Sequence, residues 1–468
     1  MASEAPGAND RSVSPQASPP ATLPAGKDIV LVLSAGAPHS PLTAGALYEL
    51  HDQLKERVVM VSTSGGGALI GLLWAAPKGR RPKEALKKVL EFGISDEIYR
   101  WFPVNYKVFT KPGPFTPHFA KLARRLKRRG PWWEHGFTES ALRFWMGAAD
   151  EDDGDDDDDT DTPGRSSSPY GKLYEDWIDF WCAMMTPVPL TALRRGLCAP
   201  PPFIHKLIDF DKLRDGDPLF SVNAYNLDDR KMVYFTHDDL DEQRLRAALA
   251  FPFVYSPVKI DGKYHCEGAL FEPIDFPEEI PTPRPARLRG LHGFVIDRIM
   301  PEVLFRARGR RPTRAQTAAA TDTATAAGGG APTRPTVNVV LIDIMAQLAP
   351  HFTRRPRNMW EAFGLSIMLP NAQLARMDYE HLQGAHASGH QPSAEGAAPQ
   401  SYTIAQDEPG CYMVKPANEA APQYRVSSVK FEIPKDRAPR LLEWSDSNLQ
   451  ALWDIGTRAG KAFHLPRP

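Results

Sequence analysis

The stretch Ser62-Thr-Ser-Gly-Gly66 places a hydroxyl group where a buried strand is expected to turn sharply into a helix. The β-branched run 58–61 predicts the strand, and the small-residue apolar segment that ends at Pro77 predicts the helix. A serine on a strand–turn–helix is the arrangement of a nucleophile elbow, which sets the hydroxyl beside the free N–H groups of a helix N-terminus. Ser64 is the predicted apex. Taken alone, the stretch fits two interpretations equally well: a catalytic elbow, or a structural turn in which glycine serves only close packing.

The elements before this stretch indicate where it lies in a sheet. Residues 28–33 form a continuous apolar run, typical of a strand buried on both faces of a parallel sheet. A small-residue loop, 34–40, follows this run, and from Pro41 the spacing of leucines predicts a helix. The two strands and their helix form a β-loop-α-β unit, so both loops should open on the edge where α/β sheets place their ligands.

The bulk composition excludes several classes of protein. The chain has 468 residues and a net charge of −1, so no overall charge directs it to nucleic acid. Its four cysteines are widely separated and form no metal-type pair, which predicts buried free thiols in a reducing compartment. The N-terminus lacks the apolar segment of a secretory signal, and the longest apolar run, 68–77, is too short to span a membrane. We expect a cytoplasmic protein, with peripheral membrane contact left open.

Proline is unusually frequent, with 45 residues, and composition divides the chain into ordered and low-complexity parts. We predict one domain over 27–300, followed by C-terminal strand and helices over 336–468 that complete or extend it. The predicted disordered or low-complexity segments are 1–26, an acidic insertion at 148–170, 306–335 and a linker at 384–402.

A basic amphipathic helix is predicted at 116–129, with Phe119, Leu122 and Leu126 on one face and several cations around it. Tryptophans follow directly, and this combination suits the interface of a membrane. A surface helix that packs its apolar stripe on the core is the alternative, and it is the more common of the two.

The remaining patterns predict strands at 219–225 and 231–235, a hairpin at 257–270 and a further buried strand at 337–343. Helices are predicted at 83–93, 177–185, 241–251, 358–383 and 445–463, and a late strand at 426–431. Together these patterns predict a three-layer α/β/α sandwich around a mainly parallel sheet.

Three segments in this order resemble the patatin-like phospholipase family. They are Ser34-Ala-Gly-Ala-Pro-His-Ser40, Ser62-Thr-Ser-Gly-Gly66 and Glu267-Gly-Ala269. In that family the first forms a glycine-rich oxyanion loop, the second carries the G-x-S-x-G serine, and the third carries an aspartate in a D-G-[GA] motif. The approach to the third segment, 245–258, is also similar.

The resemblance implies a serine acyl hydrolase of lipids. Ser64 and Glu267 would form the catalytic dyad, with an acyl-enzyme on Ser64 and no metal or cofactor. The oxyanion hole would be formed by the N–H group of Gly65 and those around Gly36 and Ala37. The chain departs from the family where Glu267 replaces aspartate and where alanines replace glycines of the first loop.

A third departure is His39, which stands where the family usually carries a basic residue and so becomes a candidate pH-dependent modulator of the oxyanion loop. If Glu267 is not the base, the next candidates for this role are Asp261 and a histidine. The presence of Asp261 is, however, explained by its place in an Asp-Gly turn.

Two other interpretations of the sequence stay open. One is a Ser-His-Asp hydrolase, which the early position of the elbow disfavours, with His265 or His292 as its base. The other is an inactive or weak patatin-fold protein that binds a lipid surface or another protein. Neither interpretation implies a specific protein partner or a nucleic acid.

Overall fold

The computed structural model describes residues 26–128, 169–274, 336–377, 402–416, 423–434 and 443–466, except for gaps at 35, 37–38, 194–195, 201–203, 216, 349, 351–361, 363–364, 367 and 409–410. The predicted disordered segment 306–335 lies outside these residues, as does nearly all of the tail, the acidic insertion and the linker. The long helix predicted over 358–383 lies only partly within them.

Strands and helices alternate along the first part of the described chain. The strands are β1 Ile29–Leu33, β2 Val58–Thr63, β3 Leu219–Asn226, β4 Lys231–Thr236, β5 Val258–Ile260, β6 Lys263–Glu267, β7 Thr336–Ile342, β8 Tyr402–Glu408, β9 Cys411–Pro416 and β10 Gln423–Ser428. The helices are α1 Ser40–Leu54, α2 Gly66–Ala75, α3 Pro82–Lys87, α4 Asp96–Trp101, α5 Thr116–Arg128, α6 Pro169–Met185, α7 Leu190–Leu193, α8 Ile204–Leu207, α9 Phe210–Arg214, α10 Glu242–Ala248, α11 Met345–Leu348 and α12 Asp446–Ala462.

All ten strands form one mixed sheet in the order β5-β6-β3-β2-β1-β7-β10-β9-β8, with β4 paired to β3. The five central strands, from β3 to β10, run parallel to their neighbours, and the outer pairings are antiparallel. The prediction of a mainly parallel central sheet is therefore confirmed for the part of the sheet that carries the candidate site.

Helices cover both faces of this sheet. Alternate residues of β1 enter two different apolar cores, with Leu31 in the core on the α1 and α12 side and Val32 in the core that contains Ala372 and Ala375. Each residue of β1 is fully buried. The predicted three-layer α/β/α architecture is confirmed, and the continuous apolar run 28–33 reflects burial on both faces.

Helix α12 crosses α1 at very close range through glycines on both helices. A Cβ atom added to Gly45 would lie 2.5 Å from the carbonyl oxygen of Trp453, and one added to Gly456 would lie 3.0 Å from the carbonyl carbon of Leu42. Since α1 directly follows the first loop, this contact fixes the element that supports that loop.

Two parts of the fold were not anticipated. Strands β8 and β9 extend the sheet beyond β10, and neither was predicted from the sequence. Helix α6 begins at Pro169, inside the segment predicted to be a disordered insertion. Among the described residues, no helix is long and apolar enough to cross a bilayer.

The carboxyl ends of β1, β2 and β7 meet at one edge of the sheet. Strand β1 lies between the other two and is parallel to both. The chain after β1 forms α1 on one face of the sheet, whereas Ala372 and Ala375, which follow β7, pack on the other face. Such a switch point opens a crevice at the carboxyl edge of an α/β sheet. The first loop, the elbow and the end of β7 all lie there.

Candidate active site

The predicted elbow is present at the end of β2. Strand β2 ends at Thr63 and α2 begins at Gly66, so only Ser64 and Gly65 connect them. The Ser64 N–H donates to the carbonyl oxygen of Leu33 at 3.1 Å, and the Ser64 carbonyl accepts from the N–H of Gly67 at 3.0 Å. These bonds fasten the turn to β1 on one side and to the first turn of α2 on the other.

The strained residue of this turn is Gly65. Its φ of 48° and ψ of −127° lie in a region that side-chain-bearing residues adopt only under strain. Gly67, two residues further on, takes the close-packing role, because a Cβ atom there would lie 2.5 Å from the carbonyl oxygen of Ser34. In a G-x-S-x-G elbow the serine stands two residues before that glycine. The strained position of the turn is therefore Gly65, one residue after the predicted apex Ser64.

The Ser64 hydroxyl is fully buried beside β3. Thr63 lies opposite Val222 in the parallel register, which brings Ser64 next to Asn223. The Ser64 Oγ lies 3.0 Å from Oδ1 of Asn223 and donates to the carbonyl oxygen of Glu272 at 2.6 Å. This carbonyl also accepts from Nδ2 of Asn223 at 2.8 Å. The hydroxyl thus helps to hold the segment that follows β6.

Glu267 lies at the end of β6, opposite Ala224 of β3, and its N–H donates to the carbonyl oxygen of Ala250 at 3.1 Å. Its carboxyl group rests on Gly65: a Cβ atom built on Gly65 would lie 3.1 Å from Cδ of Glu267 and nearer still to Oε1. Among the described residues, Ser64 Oγ forms its hydrogen bonds with Asn223 and Glu272 and forms none with Glu267.

The protonation of Glu267 follows from its surroundings. The side chain is buried, and this burial raises the pKa of its carboxyl group to about 8, because the charged form loses its water. The same burial, together with the nearby Glu267, raises the pKa of the Cys266 thiol. At neutral pH the carboxyl group is therefore largely a neutral acid.

In the first loop, the structure describes Gly36, one of the residues predicted to form the oxyanion hole. Gly36 has a φ of 146°, which a glycine adopts without strain, and its carbonyl oxygen accepts from the N–H of His39 at 2.9 Å. His39 is fully buried at the start of α1. Ala37, the other predicted contributor to the oxyanion hole, lies outside the described residues.

Asp343 was not anticipated from the sequence. It follows β7, and its carboxylate accepts from the N–H groups of Met345 at 2.9 Å and Ala346 at 3.1 Å. Burial raises the pKa of Asp343 to about 6, against the opposing effect of a hydrogen bond from the Ser34 side chain. The Ser34 Oγ in turn accepts from the N–H of Ile344 at 3.0 Å, so this network ties the first loop to β7. An acidic residue directly after the buried run 337–342 is the signal that marks it.

Asn223 was missed for a different reason. It is a fully buried amide in the interior of β3, in a strand whose other residues are mostly apolar or aromatic. A buried polar side chain in such a strand needs a hydrogen-bond partner, and here that partner is the Ser64 and Glu272 pair.

The alternative bases lie elsewhere or outside the described residues. Asp261 forms the hairpin turn with Gly262, at the opposite end of β6 from Glu267. The Nδ1 atom of His265 lies 3.2 Å from the carbonyl oxygen of Lys263, and burial lowers the pKa of the imidazole. His292 is not among the described residues.

The patatin-like phospholipase family model matches residues 31–280, which is more than half of the chain. The chain belongs to the patatin-like phospholipase family. The matched region contains all three segments that carried the resemblance: the Gly36 loop, the elbow and Glu267.

The other comparisons are more distant. No match is found among curated proteins. The crystal structure of VipD from Legionella pneumophila shares 13% sequence identity with this patatin-like chain, with a TM-score of 0.24. The match covers 53% of this chain and 46% of VipD, so the chain spans about half the length of that structure.

Proposed function

We propose that this chain is a lipid-binding member of its family that does not form an acyl-enzyme. The observation that carries the proposal is the glycine at the elbow apex. An elbow presents its nucleophile from the strained residue, and residue 65 has no side chain to present. The hydroxyl one position earlier is buried and directed to Asn223 and Glu272.

Glu267 supports the same proposal. Its carboxyl group lies in the space that a side chain at position 65 would need. An aspartate, with one methylene fewer, would leave room there for a hydroxymethyl group. The replacement of aspartate by glutamate and the presence of glycine at the apex therefore complement each other sterically, as expected of a site that no longer holds a nucleophile.

The ligand follows from the family, which acts on acyl lipids. We infer that an acyl lipid binds at the carboxyl edge of the sheet, near the Gly36 loop and Glu267. Peripheral contact with a membrane through the basic segment 116–129 belongs to the same proposal.

The second candidate is the Ser64–Glu267 hydrolase, and the raised pKa of Glu267 favours it. The ionised fraction of a carboxyl group with a pKa near 8 is a stronger base than an ordinary carboxylate, and this fraction grows as the pH approaches 8. Ser64 Oγ would attack the ester carbonyl while the ionised Glu267 takes its proton, and the N–H of Gly65 with the loop around Gly36 would bind the oxyanion. The ester C–O bond would then break, and the proton would pass from Glu267 to the departing alcohol. Water activated by Glu267 would then release the acyl group. This path requires the Ser64 hydroxyl to leave its bond with the Glu272 carbonyl.

Labelling by a fluorophosphonate separates the two candidates. The wild type, Ser64→Ala and Glu267→Gln are incubated with the probe, and the modified residue is located by mass spectrometry. We expect no labelling of Ser64 and no hydrolysis of acyl esters above that of Ser64→Ala. Labelling that Ser64→Ala abolishes, with turnover that Glu267→Gln abolishes, would establish the hydrolase instead. Thermal melts of the three proteins confirm that each is folded.

A further inference from the structure

Helix α6 carries an apolar stripe that faces solvent. Trp177, Trp181, Met184 and Met185 recur at helical spacing and have exposed fractions of 47%, 48%, 41% and 65%. Four large apolar side chains on one exposed helical face are unusual unless that face binds something.

Side chains next to this stripe hold α6 to the rest of the domain. Phe180 packs edge-on against Phe102, with 5.5 Å between ring centroids. Asp176 is buried, accepts from the N–H of Ser95 at 2.7 Å and forms an ion pair with Lys107 at 2.6 Å. The exposed stripe is therefore displayed by a fixed helix.

The stripe continues towards the candidate site. Leu190 is 83% exposed, and Lys111 Nζ holds the intervening turn by donating to the carbonyl oxygen of Met184 at 2.9 Å. Further along, the N–H of Leu197 donates to the carbonyl oxygen of Phe253 at 3.0 Å, and both of these side chains are exposed. Phe253 lies three residues after Ala250, whose carbonyl accepts from the N–H of Glu267.

Exposed cations lie on the helix that packs along α6. Helix α5 packs along α6, and Lys127 of α5 pairs with Asp179 of α6 at 2.9 Å. Lys121 and Arg124 of α5 are exposed and have no carboxylate partner in the part of the chain that the structure describes.

We propose that the α6 patch, defined as Trp177, Trp181, Met184, Met185 and Leu190, docks on an anionic lipid bilayer, with Lys121 and Arg124 contacting its headgroups. Tryptophan and methionine insert at the boundary between headgroups and acyl chains, and adjacent cations add attraction to anionic lipid. An apolar protein partner for this patch would make no use of the exposed cations on the neighbouring helix, whereas an anionic bilayer would. The inference rests on the proposed function only in taking a lipid as the class of ligand. Docking itself does not depend on whether Ser64 reacts.

Vesicle co-sedimentation tests this surface with the full chain. Vesicles of phosphatidylcholine with phosphatidylglycerol are compared with vesicles of phosphatidylcholine alone, at low and high salt. We expect binding to the anionic vesicles that weakens at high salt. Lys121→Glu/Arg124→Glu should weaken it by at least about tenfold, since each cation at such a surface contributes on the order of 1 kcal/mol. Met185→Gln/Leu190→Gln should weaken it severalfold at both salt concentrations.

The matched control reverses two exposed cations on other helices, Lys212→Glu/Arg458→Glu, and should bind almost as the wild type does. Quenching of tryptophan fluorescence by brominated lipid should fall in Trp177→Phe/Trp181→Phe. Equal losses in the control and the α5 variant, or no binding to anionic vesicles, would overturn the proposal. So would sedimentation of the wild type as a dimer that Met185→Gln/Leu190→Gln converts to a monomer. Each of these results leaves the fluorophosphonate outcome unaffected, so failure of the docking surface is distinguishable from failure of the proposed function.

Discussion

The carboxyl group of Glu267 occupies the place where a side chain at Gly65 would begin. A Cβ atom on residue 65 would lie 2.9 Å from the Ala269 Cβ and 3.1 Å from Cδ of Glu267, with Oε1 nearer still. The elbow and the third segment of the family motif are therefore in contact, through Gly65 and Glu267.

Replacement of Gly65 should destabilise the folded protein. Gly65→Ala introduces both the backbone strain of φ 48° and the clash with Glu267. We expect the free energy of unfolding to fall by at least about 2 kcal/mol in denaturant titrations. Gly79→Ala is the matched control, because Gly79 has a φ of 65° but nothing within 4 Å of an added Cβ atom. It should lose only about 1 kcal/mol. Equal losses at the two positions would mean that Glu267 does not obstruct position 65.

A nucleophile should be recoverable by changing both residues. Gly65→Ser alone meets the Glu267 carboxyl group, whereas Gly65→Ser/Glu267→Asp frees the space that the hydroxymethyl group needs. We expect fluorophosphonate labelling of residue 65 in the double variant and little in the single one. Glu267→Asp without the new serine is the control and should not be labelled. Labelling at Ser64 in all of these proteins would instead favour the Ser64 dyad.

The Ser64 hydroxyl should contribute to stability. Ser64→Ala removes the donor to the Glu272 carbonyl and leaves a buried oxygen with one bond fewer. The free energy of unfolding should fall by about 1–3 kcal/mol. Ser221→Ala on the neighbouring strand is the control, since the Ser221 Oγ is buried with no hydrogen-bond partner in the described structure. That substitution should change stability by less than about 0.5 kcal/mol. A loss as large at Ser221 as at Ser64 would contradict a specific structural role for the Ser64 hydroxyl.

The folded protein should become less stable as the pH rises, because of Glu267. Its pKa rises from 4.5 to about 8 on folding, so between these values the folded protein binds a proton that the unfolded chain releases. The free energy of unfolding should therefore fall by a few kcal/mol as the pH rises through this window. Glu267→Gln should flatten the dependence between pH 6 and 8. Below pH 6 a weaker slope should remain, because burial also raises the pKa of Asp343, to about 6. An unchanged slope in Glu267→Gln would show that Glu267 is ionised in the folded state.

Much of the fold follows from patterns that act locally. The largely apolar runs of β1, β2 and β7 indicate strands buried on both faces, and the small residues after β1 and β2 indicate two loops at one edge. The Asp-Gly turn predicts the β5–β6 hairpin, and Asp241 predicts the start of α10, where its Oδ1 accepts from the N–H of Arg244 at 2.7 Å. Strands β8 and β9 were not predicted, because no local pattern shows their long-range pairing: β9 pairs with β10, and β8 pairs with β9.

The sequence by itself determined that an elbow follows β2, that a small-residue loop faces it and that Glu267 closes the set, because each depends on residue types and their order. Only the tertiary structure decided which residue of Ser64-Gly65 stands at the apex. Either residue fits the spacing of the motif, and the choice depends on where α2 packs on β1, through the contact between Gly67 and Ser34. That packing turns Ser64 towards Asn223 and places Gly65 against Glu267.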